Sequence, residues 1–183
     1  MLKQCKVIAF SATSFRHIER FVNNCIVAPT ILNFQSEYEV CNGVNPIQLG
    51  NIVACSSEAD LLKQLESELA KHYDSKPMIV IHTEEQAERI VKTCKSNKLT
   101  TYMGATSDTL NLIKDQSHGV LLLLKSECRG VDVRFSRDAR VIITCKPDDF
   151  NQYLQMLGRA SRTRGVCEGV MLHVGAEKAS VIV

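Results

Sequence analysis

Two hydrophobic periods alternate along this chain, and that alternation constrains its fold more than any other feature. Short apolar runs occur at Val7–Phe10, Ile52–Cys55, Met78–Ile81, Val120–Leu124 and Val141–Cys145, with Val170–Val174 closing the series and Thr101–Met103 as a brief addition. A run apolar at successive positions suits a strand buried on both faces. Between the runs, apolar residues recur at helical spacing. Phe15, Ile18, Phe21 and Val22 do so in Ser14–Asn24, and Leu61, Leu62, Leu65 and Leu69 after Ser57. Ala87, Ile90, Val91 and Cys94 mark Glu84–Ser96, and two further helices are expected over Ser107–Gln116 and from Asp148 to about Arg162. Ser57 can cap its helix, with Asp60 reaching back. The segment 26–51 is irregular, with Pro29, Gly43, Pro46 and Gly50, and reads as a linker with short extended pieces. Strands separated by helices of this kind predict an α/β fold: a mostly parallel sheet covered by helices on both faces. Ligands of such sheets bind beyond the carboxyl ends of the strands, so the loops there are where function should be sought.

Composition excludes several classes. Apolar residues make up 45% of the 183, which rules out disorder for most of the length. The longest apolar run, Val120–Leu124, falls far short of the ~20 residues that span a bilayer, and the N-terminus lacks a signal-peptide pattern. No membrane association is expected. The net charge of +2 is too small to imply a nucleic-acid partner by itself. Eight cysteines are present without a CxxC pair, and none of the five histidines supplies a close ligand pair. That pattern predicts reduced structural cysteines, no metal site and an intracellular home.

Three short segments carry chemistry. Gln155-Met156-Leu157-Gly158-Arg159-Ala160-Ser161-Arg162 has the form QxxGRxxR. On a helix, Gln155, Arg159 and Arg162 can share one face, and two guanidinium groups beside an amide suit triphosphate oxygens. The plainer alternative is a solvated basic helix end, continued by Arg164. Arg129-Gly130-Val131-Asp132 follows the strand Val120–Leu124; its glycine permits a close turn and its carboxylate can accept a ribose hydroxyl or pair with an arginine. Ser11-Ala12-Thr13 follows Val7–Phe10 and could relay hydrogen bonds between sites. Lys125, Arg134, Arg137 and Arg140 surround the second segment, as a phosphate track or as a solvated loop. His82, at a strand end, reads as structural.

In this order the segments resemble the motifs of superfamily 2 helicases and translocases, closest in register to the DEAD-box group. Ser11–Thr13 looks like motif III, Met78–Thr83 stands in the place of motif IV, and Tyr102-Met103-Gly104 looks like the strand-glycine segment after it. Arg129–Asp132 looks like motif V and Gln155–Arg162 like motif VI, with Pro147 and Tyr153 also in register. There are departures. Leu124 stands where the DEAD-box group has a threonine that touches RNA, Gln155 stands where it has a histidine, and motif IV lacks an aromatic.

The resemblance implies a RecA-like three-layer sandwich. Residues 1–45 would be the end of a first RecA-like domain with its linker, and residues 46–183 the second domain. ATP and Mg²⁺ would be bound between two such domains in a full-length parent. Arg162 would be the arginine finger, Arg159 a second γ-phosphate contact, and Gln155 a group holding phosphate or the attacking water. Arg129, Gly130, Asp132 and Gly158 would line the nucleotide, Asp132 at the ribose. Ser11 and Thr13 would couple nucleotide state to the domain interface, and Thr83, Gly104 and Thr106 would contact a nucleic-acid backbone, RNA or DNA. No GxxxxGK[ST] loop and no DExx box occur in the sequence. The chain alone is therefore expected to be inactive and to require no cofactor, while its parent hydrolyses ATP. Alternatives are a degenerate helicase module that acts as a protein scaffold, and the motor of a non-unwinding translocase. The apolar run Val7–Phe10 raises the further expectation of either disorder before about residue 45 or self-association through the N-terminal stub.

Overall fold

The computed structural model describes residues 47–72, 76–128, 131, 133, 135–160 and 167–175. The expected strand Val7–Phe10, the helix Ser14–Asn24 and the boundary at 45/46 lie outside the described residues, as do Ser11, Thr13, Arg129, Gly130, Asp132, Arg134 and Arg162.

The described elements run β1 (Ile47–Cys55), α1 (Glu58–His72), β2 (Pro77–His82), α2 (Glu84–Ser96), β3 (Thr101–Met103), α3 (Ser107–Lys114), β4 (Gly119–Leu124), β5 (Ala139–Ile143), α4 (Phe150–Leu157) and β6 (Cys167–Val174). They build one six-stranded sheet in the order β1-β6-β5-β2-β4-β3. Every described pairing is parallel, as the buried apolar runs require.

Strand residues alternate between two cores. Ile79, Ile81, Leu121, Leu123, Val141, Ile143 and Met171 face one layer, with Ile113 of α3 and Tyr153, Met156 and Leu157 of α4. Met78, Val80, Val120, Leu122, Ile142, Val170 and Leu172 face the other, with Leu61, Leu65 and Leu69 of α1 and Ile90 and Cys94 of α2. The sheet therefore has helices on both faces, the α/β sandwich expected from the sequence. Leu61, Leu65 and Leu69 stand four residues apart and are essentially fully buried. Each contributes about 2 kcal/mol from the area it removes from water.

Helix starts follow local chemistry. The Ser57 hydroxyl accepts from the Asp60 amide (3.2 Å), while Asp60 reaches back to the Ser56 amide (2.8 Å). The Asp149 carboxylate accepts from the Gln152 amide at the start of α4 (2.7 Å).

Three expectations are corrected. First, residues 47–51 are strand rather than linker, because Gly50 and Asn51 fall inside a register shift between Leu49 and Ile52 that β1, at the sheet edge, absorbs. Second, α3 stops at Lys114, capped at Asp115. Third, the last helix does not run on to Arg162. It ends at Leu157 and tightens into a 3₁₀ turn, Gly158–Ala160. There the Arg159 side chain, through Nε, takes the Gln155 carbonyl (2.6 Å) that its own amide would take in a continuing α-helix.

Arg140 is also displaced from its expected role. It is the second residue of β5, opposite Glu168 of β6, at the end of the sheet away from the strands' carboxyl termini. It is 8% exposed and bonds Glu68 of α1 and Glu168 (3.3 Å to the latter). Lys71 and Lys76 extend this ionic network to the same two carboxylates. Arg140 therefore ties α1 to the sheet and belongs to no phosphate track.

Candidate nucleotide and nucleic-acid site

After β2 the chain moves to β3 and β4 on one side of the sheet, and it then crosses back to β5 on the other. The carboxyl ends of β2 and β5 thus flank a topological switch point, the usual crevice for a ligand. Here a side chain fills that crevice. Gln86, 9% exposed, donates from Nε2 to the Thr144 carbonyl (3.0 Å), and its Oε1 accepts from the Thr83 amide (3.2 Å). The Thr144 hydroxyl lies 3.0 Å from Gln86 Oε1 and 3.1 Å from the Ile81 carbonyl. The Thr144 amide also donates to Ile81 (2.9 Å). A ligand must therefore sit outside this plug, on the loops to either side.

On the β5 side stand Gln155, Gly158 and Arg159, all partly exposed. Arg159 is a clamp. Its Nη1 donates to the Val131 carbonyl (2.7 Å), and its own carbonyl accepts from the Val133 amide (2.9 Å). The segment that resembles motif V is thereby fastened to the one that resembles motif VI. The α-helical spacing assumed for Gln155, Arg159 and Arg162 stops at Leu157, so a shared face cannot be derived from helix periodicity. Among the described residues, an added Cβ at Gly158 would meet nothing within 4 Å.

On the β4 side, Thr83 follows β2 and caps α2, while Gly104 and Thr106 lie between β3 and α3. These positions share the carboxyl edge formed by the neighbouring strands β2, β4 and β3. Gly104 adopts φ +75°, which glycine tolerates without strain, and its amide donates to the Leu122 carbonyl (3.0 Å). Thr106 is exposed; its hydroxyl accepts from the Thr109 amide (3.2 Å) and lies 2.7 Å from the Thr109 hydroxyl. Glu127, in a 3₁₀ turn (Lys125–Cys128), accepts the Leu124 amide on Oε2 (2.8 Å). Lys125 is committed elsewhere, to the Lys146 carbonyl (2.8 Å) and the Asp148 carboxylate (2.5 Å). Of the four basic residues considered as a phosphate track, Arg137 is exposed, Lys125 is paired, Arg140 is buried at the far edge, and Arg134 lies outside the described residues.

Among the described residues the buried thiols do not offer nucleophiles at neutral pH. Burial and the neighbouring Cys145 push Cys128 up to about 12, and burial pushes Cys145 up to about 11. Burial likewise raises Cys94 to about 11 and Cys167 to about 12. Among the described residues no group of three His, Cys, Asp or Glu side chains is placed to hold a metal ion. His82 is buried and engages the Thr83 carbonyl through Nδ1 (2.9 Å).

Gln86 and Glu127 were not singled out in the sequence. A Thr-x-x-Gln capping box at Thr83 marks a helix start, but nothing local foretells a bond from Gln86 to a residue 58 positions away. Glu127 carries no motif signal at all.

No family model matches the chain, and no curated protein matches it. Solved structures do. The chain is similar to Dbp5 of S. cerevisiae bound to RNA and ADP BeF3, with a TM-score of 0.60 and 17% identity over 92% of this chain and 44% of that one. Against the C-terminal domain of the DEAD-box protein Dbp5 the TM-score is 0.51, with 17% identity over 74% of this chain and 78% of that one. The RNA helicase Prp28 of Chaetomium thermophilum bound to ADP gives 0.53, with 18% identity over 89% and 40%. The chain thus spans less than half of the longer Dbp5 and Prp28 chains.

Proposed function

From the premise that this chain has the C-terminal RecA-like fold of the DEAD-box helicases, we propose that it is one motor domain of an ATP-dependent helicase. In this reading it supplies the arginine side of a composite ATP site and part of a nucleic-acid track. The observation that carries the proposal is the Arg159 clamp, which joins Val131 and Val133 to the end of α4. These two segments would have to approach one nucleotide together, and the clamp gives them a common frame.

Within the proposal, Arg162 is the arginine finger, stabilising charge as the γ-phosphoryl group transfers. Gln155 orients phosphate or water. Arg129, Gly130, Asp132 and Gly158 line the nucleotide. Arg159 holds the 131–133 segment and reaches a phosphate by exchanging a carbonyl partner for it. Thr83, Gly104 and Thr106 would face the nucleic-acid backbone, and Ser11 and Thr13 the partner domain. The described residues offer no carboxylate set for Mg²⁺. The ion and the phosphate cradle would come with a second RecA-like domain, which also orients the attacking water.

Turnover of Mg²⁺-ATP by the chain alone tests the half-site. The expected rate is background, with or without RNA. Robust Mg²⁺-dependent hydrolysis by these 183 residues would contradict it.

A further inference from the structure

We propose that the Lys125–Asp148 ion pair is an autoinhibitory contact, in which the Asp148 carboxylate occupies an ammonium that otherwise takes a phosphate oxygen of a bound strand. This deepens the reading of Thr83, Gly104 and Thr106 as a nucleic-acid face, and it rests on that reading. Register puts the Lys125 backbone within that face. Leu124 ends β4 opposite His82, so Lys125 and Thr83 are the next residues along neighbouring parallel strands. On the other side of β4, the Gly104 amide bonds the Leu122 carbonyl (3.0 Å). The Lys125 side chain leaves this face. It reaches the Lys146 carbonyl (2.8 Å) and Asp148 Oδ1 (2.5 Å), both beyond the end of β5. Because β2 lies between β4 and β5, that reach crosses the carboxyl end of β2.

The structure itself places an anionic oxygen on this ammonium, and the pair is open to exchange. The Lys125 and Asp148 side chains are 27% and 70% exposed. An ion pair so exposed contributes little and is screened by salt. Breaking it strands no group. Asp148 keeps the Gln152 side-chain amide on Oδ2 (2.9 Å), and its backbone amide keeps Gln152 Oε1 (2.5 Å). Asp149, not Asp148, caps α4, so the helix start does not depend on the pair. A phosphate oxygen that takes Lys125 gains a charge-assisted hydrogen bond, but it must first displace a carboxylate that already has one. The pair therefore lowers the affinity for the strand by what the pair is worth. Phosphates are common to RNA and DNA, so this contact reads neither base nor sugar.

The test is a double-mutant cycle on the full chain, read by fluorescence anisotropy with one short single-stranded RNA at low salt. Asp148→Asn keeps the shape and an acceptor for Gln152 while removing the charge. It should tighten binding by roughly twofold to fivefold, what an exposed ion pair supplies. Lys125→Met keeps the aliphatic stem and removes the ammonium. In that background Asp148→Asn should change nothing, because the carboxylate has no ammonium left to occupy. The gain from Asp148→Asn should also shrink as salt is raised. Binding by Asp148→Asn no tighter than wild type would overturn the proposal. So would an equal gain with and without Lys125, which would show only the loss of a negative charge from the surface. Either result leaves the nucleic-acid face standing. Absence of binding by every variant would overturn that face and the proposal together.

Discussion

Gln86 illustrates how much one side chain can hold. Its amide accepts the α2 cap amide at Thr83 and bonds Thr144 beyond β5, with little access to water. Replacing it by leucine strands the Thr144 carbonyl and the Thr83 amide. The expected loss is about 2–3 kcal/mol in urea unfolding, since each buried group left unpaired costs about 1–3 kcal/mol. A loss within about 0.5 kcal/mol, the range of ordinary surface changes, would show that the plug bears no load. At this scale the sequence was half legible. Arg159 was identifiable as a residue of consequence from QxxGRxxR. Its grip on the Val131 and Gln155 carbonyls was not, because it arises where the helix tightens, and no spacing rule reports that.

Most elements could be read because the two cores impose the pattern. Strands buried on both faces leave apolar runs, and the helices between them leave stripes. Glu84–Ser96 and Thr101–Met103 have the bounds that the sequence suggested. The misreadings occur where the period is interrupted. Gly50 and Asn51 hide the first half of β1 inside a bulge, and α4 gives way at Leu157 to a 3₁₀ turn where the Arg159 side chain bonds the Gln155 carbonyl. Arg140 misled for a related reason: nearness to motif V in sequence says nothing about which end of β5 it occupies. Its pairing with Glu68 and Glu168 carries the prediction proper to this scale. Arg140→Ala should cost up to about 3–5 kcal/mol, because it leaves buried Glu68 with only the more exposed Lys71 as counter-charge. The double variant Arg140→Met, Glu68→Leu should recover most of that loss. Equal stability of Arg140→Ala and wild type in a denaturant titration would contradict the pairing.

For the molecule as a whole, a net charge of +2 concealed the arrangement. Among the described residues, basic groups act at separate points: Arg159 clamps two loops, Arg140 with Lys71 and Lys76 ties a helix to the sheet, and Lys125 pins the turn after β4. The fold is that of the C-terminal domain of the DEAD-box protein Dbp5, and the proposed function makes it one side of a composite site. The central claim is that Arg162 acts as an arginine finger across that site. Its most direct test is the nucleic-acid-stimulated ATP turnover of this domain joined to a first RecA-like domain of the kind proposed, wild type against Arg162→Ala. The account predicts a fall of around 10³-fold or more, the lower end for arginine fingers. An unchanged rate would contradict it.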